Sequence, residues 1–386
     1  MEYTEHFHKV IGLIASEPQQ RSLSPFVDLT EANGAVLILN ILRAKHHDSS
    51  KDTDTPKLEN KLEPTAYPPV ESLPDFEWQH VEPLKLRPFK PKYHLTMSIE
   101  DSNVNELIEF DKNYVERIAL RKQIMKKHSE TVLAAEDCVK SAVDEFYTWL
   151  VGNYLPTRFP QMFKVIEAAG DRPAVLHNLP TGEKICLSPA DKPVESLRIM
   201  GSLVEDDLLF LLPSTDGDGY TLKGFVTCFP SGFNTRKKLN LKLRDIHKPV
   251  PRYKQKLEKS MDRYFDKLKT GKFVKRANWT VTTTDQLFRA HGNHLYEGEA
   301  IPEEDVNITE ARVRCERQVL HRLPRTRAIL FSFKTYLYTL PEIKAEGLGE
   351  TLAEAIDGLK DGSVPEFHFY KRAAIWGESI KAYLRA

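Results

Sequence analysis

The chain has 386 residues, 41% hydrophobic and 10% aromatic, enough apolar material for one large domain or two modest ones. Lys plus Arg and Asp plus Glu both number 55, so the formal net charge is zero, which argues against a broad nucleic-acid-binding surface. Cys138, Cys186, Cys228 and Cys315 are far apart and form no C-x-x-C pair, which argues against an iron–sulfur cluster or structural zinc and reads as reduced, mostly buried thiols.

The most apolar early stretch, Ala35 to Leu42, is much shorter than the roughly 20 residues a membrane span needs. It follows an acidic start (Glu2, Glu5), unlike a signal peptide, so the expectation is a soluble cytoplasmic protein. The first 45 residues suit a short helix or two. Residues 46–86 are rich in Pro, Lys, Asp, Ser and Thr and poor in aliphatic side chains, which predicts a linker or extended arm. The chain therefore divides into an N-terminal arm and linker over 1–86 and a main domain over 87–386.

From Asn105 to Ala169 the spacing is helical: Leu107, Phe110, Tyr114, Ile118 and Arg121, then Val139, Val143, Phe146 and Leu150. Pro156 and Pro160 are expected to break that run. Short apolar runs at 208–212 and 224–229, separated by Asp216-Gly217-Asp218-Gly219, predict a hairpin. A basic, helix-like block follows from Thr235 to Leu268. Strands are expected again at 279–284 and 328–333, and a helical tail from Pro341, with Leu348, Leu352, Ala355, Ile356 and Leu359 on one face. Helices, sheet, helices, sheet, helices make an α+β domain.

The most informative segment runs from Cys228-Phe229-Pro230-Ser231-Gly232-Phe233 to Ile246-His247-Lys248-Pro249-Val250-Pro251. A buried strand ends at Pro230, Ser231 is placed to cap the next helix, and two short helical turns bring His247 to a helix end. Pro249 and Pro251 stiffen the exit, because each locks φ. Two readings stand for His247: an axial metal ligand on a rigid frame, or a helix C-cap facing the dipole.

Several blocks match a known family in order. They are Arg87-Pro88-Phe89-Lys90-Pro91, Phe110-Asp111-x-x-Tyr114 with Arg121, Leu155-Pro156-Thr157-Arg158-Phe159-Pro160 and Glu205-Asp206-Asp207-Leu208. The Phe-Pro-Ser … Ile-His-x-Pro-Val-Pro segment, Arg276-Ala277-Asn278-Trp279 and Arg314-Cys315-Glu316-Arg317-Gln318-Val319-Leu320 through Pro324 follow. Together they resemble the haem-dependent oxidative N-demethylase family, whose fungal members are called HRQ family proteins; this chain resembles the fungal type. Departures are Gly232-Phe233 where the family more often shows Arg-Trp, Asn240 in place of Gly, and Met97-Ser98-Ile99 in place of Met-Gly-Leu.

The resemblance implies a PAS-like haem-binding sheet-and-helix core with additional N- and C-terminal helices. It implies b-type haem on His247 and oxidation of an alkylamine by O₂, with release of an aldehyde. No G-x-G-x-x-G or G-x-x-x-x-G-K-[ST] loop is present, so electrons are expected from an external NAD(P)H-dependent reductase partner. Arg236, Lys237, Lys238 and Arg276 are candidate partners of the haem propionates, against the plain reading of a solvated basic face. Glu316 and Arg317 are candidates for a buried pair that orients the pocket, and Gln318 for a hydrogen bond to ligand. The rival reading is a network that merely starts a strand.

His291-Gly292-Asn293-His294, near Glu297 and Glu299, reads as a surface loop rather than a metal site, and His94 and His321 as core or distal histidines. The competing functions are a non-catalytic PAS-like haem sensor or carrier, a tailoring oxygenase of natural-product biosynthesis, and a haem-free interaction module.

Overall fold

Three long strands in the second half of the chain form the middle of an antiparallel sheet, and that sheet sets every position discussed below. The computed structural model describes residues 63–386, within a compact unit that begins at Lys61. The expectations for the first 45 residues, and the apolar run at 35–42, lie outside the described residues.

In chain order the strands are β1 (Glu100–Ser102), β2 (Leu133–Ala135), β3 (Phe163–Ile166), β4 (Val175–Asn178), β5 (Glu183–Cys186), β6 (Asp207–Pro213), β7 (Tyr220–Val226), β8 (Phe273–Thr282), β9 (Arg312–Arg322) and β10 (Ile329–Thr339). Seven of them pair as β1-β8-β9-β10-β6-β7-β2, and β3-β4-β5 form a small second sheet. All named pairs are antiparallel. The class is α+β, as the element order predicts.

Helices cover both faces. Tyr114–Lys127, Lys140–Trp149 and Pro193–Gly201 pack on one side with a core that includes Phe110, Phe146, Met200 and Phe210. The C-terminal helices Gly349–Asp361 and Ala373–Arg385 form a second core with Trp279, Ile356 and Trp376. The tail starts with a reciprocal cap, in which Thr339 and Glu342 satisfy each other's backbone N–H groups. A third cluster joins Leu211, Leu222, Leu243, Tyr253, Met261 and Phe265.

Four expectations are corrected. The helical run from Asn105 is interrupted by β2, because Leu133 and Ala135 pair with Val226 and Gly224 of β7. Pro156 does not break its helix: a π turn over Leu150–Tyr154 precedes it, so it falls in the first turn of Leu155–Arg158, where no N–H is needed. The stretch 63–86 is extended but lies on the domain rather than apart from it. Tyr67 stacks on Trp149 at 3.7 Å, Phe76 meets Phe159, and the Leu73 N–H donates to the Arg158 carbonyl. Cys138 and Cys186 are exposed; only Cys228 and Cys315 are buried.

Ser98 and Asn240, where the resemblance leads one to expect glycine, both adopt the left-handed conformation, with φ of +48° and +65°. Asn tolerates it best among non-glycine residues, and the Asn240 amide is held by Lys223 Nζ at 2.7 Å and Glu136 Oε1 at 2.8 Å.

Three of the seven matched blocks meet at one buried knot. The Arg121 guanidinium donates to the carbonyls of Gly201, Glu205 and Asp206 and to Asp207 Oδ1 at 2.7 Å, with both side chains fully enclosed. Asp207 in turn accepts from the N–H groups of Cys228 and Phe229. Beside it, Lys334 Nζ pairs with Asp111 and Glu205 at 2.8 Å each. Removing one partner of a buried pair leaves an uncompensated charge. We expect Arg121→Met to destabilise the protein by about 3–5 kcal/mol in urea unfolding.

Candidate active site

The strand period of two places residues 274, 276, 278 and 280 of β8, 316, 318 and 320 of β9, and 331 and 333 of β10 on one sheet face. Register then sorts them into bands. Asn278 lies opposite Glu316; Arg276 lies opposite Gln318, which lies opposite Phe333; Val274, Leu320, Phe331 and Leu209 continue as an apolar row. Above this face the segment from Phe233 to Phe265 forms a roof, and the two enclose a cavity of about 340 Å³. That is the size range of small-molecule and cofactor sites, largely apolar with few polar groups.

His247 is on the roof. It follows the short Leu243–Ile246 helix, and its Nδ1 lies 2.8 Å from the Leu243 carbonyl. A carbonyl only accepts, so Nδ1 carries the proton and Nε2 keeps its lone pair. Nε2 has no hydrogen-bond partner among the described residues, and the ring lines the cavity, stacked on Tyr253 at 5.0 Å and 19°. Burial, with Lys238 and Arg276 nearby, pushes its pKa down to about 4, so the imidazole is neutral at pH 7. His247 is also the C-cap of that helix, with its ring N–H and its backbone N–H both directed at terminal carbonyls, and as a neutral ring it brings no cation to the dipole.

Of the other expected residues, Lys238, Arg276, Glu316 and Gln318 line the cavity. Arg236 does not: it is exposed, and its backbone N–H is capped by the Asn234 side chain. That cap also replaces the one expected from Ser231. Lys237 is exposed too. Arg317 faces the opposite side of the sheet, where it donates to the carbonyls of Leu107 and Glu106. The expected Glu316–Arg317 pair is therefore absent, because neighbours on a strand point to opposite faces. Glu316 is instead held by Gln318, whose Nε2 donates to Oε2 at 2.8 Å; Glu316 Oε1 is buried without a partner.

Sequence reasoning missed two residues of the polar end. Lys371 follows the Phe367–Tyr370 helix, is 4% exposed, and its Nζ donates to the Trp279 carbonyl while lying over the Tyr93 and Trp279 rings. Burial, reinforced by Arg276, pushes its pKa down to about 7. No local pattern marks it; it arrives from a helix that packs on the sheet only in the folded chain. His294 was read as part of a surface loop, yet it lines the cavity and sits 4.5 Å from the Tyr370 ring. Among the described residues no group of three His, Cys, Asp or Glu side chains is disposed to hold a metal ion.

Gly232 explains how His294 arrives. Its φ is +76°, and a Cβ there would lie 2.6 Å from Asn293 Cβ and 2.9 Å from His294 Nδ1. The 293–294 loop thus occupies the space that a side chain at 232 would take. Arg314 ties the same walls together, donating to the Phe229 carbonyl at 2.6 Å and the Leu287 carbonyl at 3.0 Å.

Besides Lys275, which pairs with Glu106, the lining carries Lys238, Arg276 and Lys371 against the single buried carboxylate of Glu316, and none of these three cations is in an ion pair among the described residues. Lys238 lies over the Phe233 ring at 4.2 Å, and burial lowers its pKa to about 8. Arg276 Nε is buried without a partner. A neutral, oriented imidazole, an apolar row and two surplus cations suit a flat apolar ligand bearing two carboxylates. His321 is elsewhere: it stacks on Phe273 at 4.6 Å within the core behind the sheet, and His94 is exposed.

Replacing Gly232 by Ala is expected to cost at least about 1–3 kcal/mol, since left-handed strain and a steric clash add. His321 has its pKa lowered to about 3 by burial, below its unfolded value, so folding releases its proton and stability falls as pH drops from 6.5 towards 3. His321→Phe should flatten that acid limb in urea titrations at successive pH values; an unchanged slope would contradict the assignment.

Residues 98–381 match the family model of the haem-dependent oxidative N-demethylase, alpha subunit-like proteins. The match takes in the sheet, the roof and every polar cavity residue named above except Tyr93. The chain belongs to the haem-dependent oxidative N-demethylase alpha subunit-like family.

Proposed function

We propose that this chain holds a b-type haem in the cavity, in a PAS-like arrangement of sheet and roof, and oxidises the N-alkyl group of a small amine. The observation that carries this reading is His247, with Nδ1 committed to the Leu243 carbonyl and Nε2 free towards the cavity. Lys238 and Arg276 would receive the two propionates, each cation lacking a carboxylate partner of its own. Bound haem supplies the redox centre at which O₂ is reduced.

The rest falls to this chain's side chains. Val274, Leu320 and Phe331 exclude water from the apolar part of the site. Glu316 Oε1 accepts a hydrogen bond from the amine N–H while Gln318 fixes the other carboxylate oxygen. Lys371, with a pKa near 7, holds or yields a proton at Nζ close to that carboxylate. The overall reaction balances as N-methylamine, O₂, two electrons and two protons giving the shorter amine, formaldehyde and water. The electrons come from an external NAD(P)H-dependent reductase.

Protein produced with ample porphyrin should show a Soret band, and with reductant and dimethylamine it should release formaldehyde. His247→Ala should lose or strongly shift the band. Glu316→Gln should keep the band and lower kcat on the order of 10²-fold or more, as loss of a positioned proton acceptor does. Colourless wild-type protein, or a spectrum indifferent to His247, would sink the proposal.

A further inference from the structure

Lys334 and Lys371 are the two most enclosed lysines among the described residues, and their surroundings are opposite. Lys334, 2% exposed, has two carboxylates, Asp111 and Glu205, and stays charged. Lys371, 4% exposed, has none, and it lines the cavity. A buried ammonium without a carboxylate is costly, and the group escapes that cost by losing its proton.

The backbone of Lys371 is fixed at both ends. Its N–H donates to the Phe367 carbonyl at 2.9 Å, and its carbonyl accepts from the Trp376 indole N–H at 3.0 Å. The side chain reaches the band where Asn278 of β8 lies opposite Glu316 of β9. There Nζ donates to the Trp279 carbonyl, with Asn278 Oδ1 at 3.5 Å. A neutral amine has two N–H bonds and one lone pair, so two acceptors leave the lone pair free. The Tyr93 and Trp279 rings flank Nζ at 4.9 Å and 5.3 Å, and Arg276 stands about 7 Å along the strand from Asn278. Burial first, then Arg276, push the pKa of Lys371 down to about 7, against the opposing effects of Glu316 and Cys315.

We propose that Lys371 is a carbonyl-trapping amine, whose Nζ adds to a small aldehyde in the cavity and holds it as a protonated imine. The inference deepens the reading above, which releases an aldehyde in this same cavity; the addition itself needs no haem. An amine kept neutral by an apolar site and a neighbouring cation is a nucleophile at pH 7. An ordinary lysine, with a pKa of about 10.4, is unprotonated there in roughly one molecule in 2,500. The nitrogen lone pair forms the C–N bond while the C=O π pair moves to oxygen, and one N–H proton passes to that oxygen. The carbinolamine then takes a second proton, loses water and leaves the protonated imine. Glu316, the one buried carboxylate of the lining, is placed for that transfer. Water reverses both steps, and nothing is oxidised or reduced.

The full chain, first without haem, is treated at pH 7 with limiting formaldehyde and cyanoborohydride. The reductant converts the imine to N-methyl-lysine, and peptide mass mapping reads each lysine separately. Lys371 should be methylated at least about tenfold faster than the exposed Lys254 and Lys259. From pH 7 to pH 9 its rate should rise about twofold at most, while theirs rise roughly tenfold per pH unit. The difference should vanish in concentrated urea, and no variant has to fold for the comparison. A haem-loaded sample turning over isotope-labelled dimethylamine, with dimedone present to remove escaped formaldehyde, should carry the label at Lys371. Labelling of Lys371 no faster than that of the exposed lysines, or a rate that climbs with pH as theirs does, overturns the proposal. So does a Lys371 that reacts with added formaldehyde but takes no label during turnover. A colourless protein overturns the haem reading alone, and the added formaldehyde still decides this one.

Discussion

The alternation of side chains along β9 is the constraint on which the rest depends. Glu316, Gln318 and Leu320 face the cavity, while Arg317 and His321 face the opposite side. A shift of one residue in register would exchange the two sets and turn a guanidinium into the cavity. The pairing to β8 and β10 over eleven residues of β10 makes that slip costly. The far side is anchored by charge: Lys334 on β10, opposite Arg317, is held by Asp111 and Glu205.

The second control is orientation at the roof. A histidine with both ring nitrogens free would rotate and choose its own tautomer. Here the Leu243 carbonyl takes one nitrogen, Tyr253 lies flat against the ring, and Pro249 and Pro251 restrict the backbone that follows. Burial keeps the imidazole neutral, so its lone pair is available across the physiological range. The same short helices turn apolar residues inward and lysines outward, which lets one thin layer serve the cavity and the solvent.

Much of the fold was legible because its signals are local. Apolar runs bounded by Pro, Gly and Asp marked β6, β7 and β10, and four-residue spacing marked the Tyr114–Lys127 and Gly349–Asp361 helices. β9 was harder to read, because Arg314, Glu316 and Arg317 are buried charges that imitate an exposed polar segment. The blocks that carried the family resemblance turned out to serve the frame more than the site. Arg121, Asp207, Glu205 and Arg314 hold strands and loops, and of the seven blocks only three supply polar side chains to the cavity, at His247, Arg276 and the Glu316–Gln318 pair.

From the sequence alone came the α+β class, the proline-framed His247, the family resemblance, and Lys238, Arg276, Glu316 and Gln318 as candidates, all four of which line the cavity. Periodicity and stiff backbone residues act over a few positions, so they can be read without coordinates. Only the tertiary structure separated Glu316 from Arg317, because facing depends on where the strand begins and what pairs with it. It alone brought Lys371 and His294 to the cavity, since contacts between distant segments depend on packing that no local pattern records.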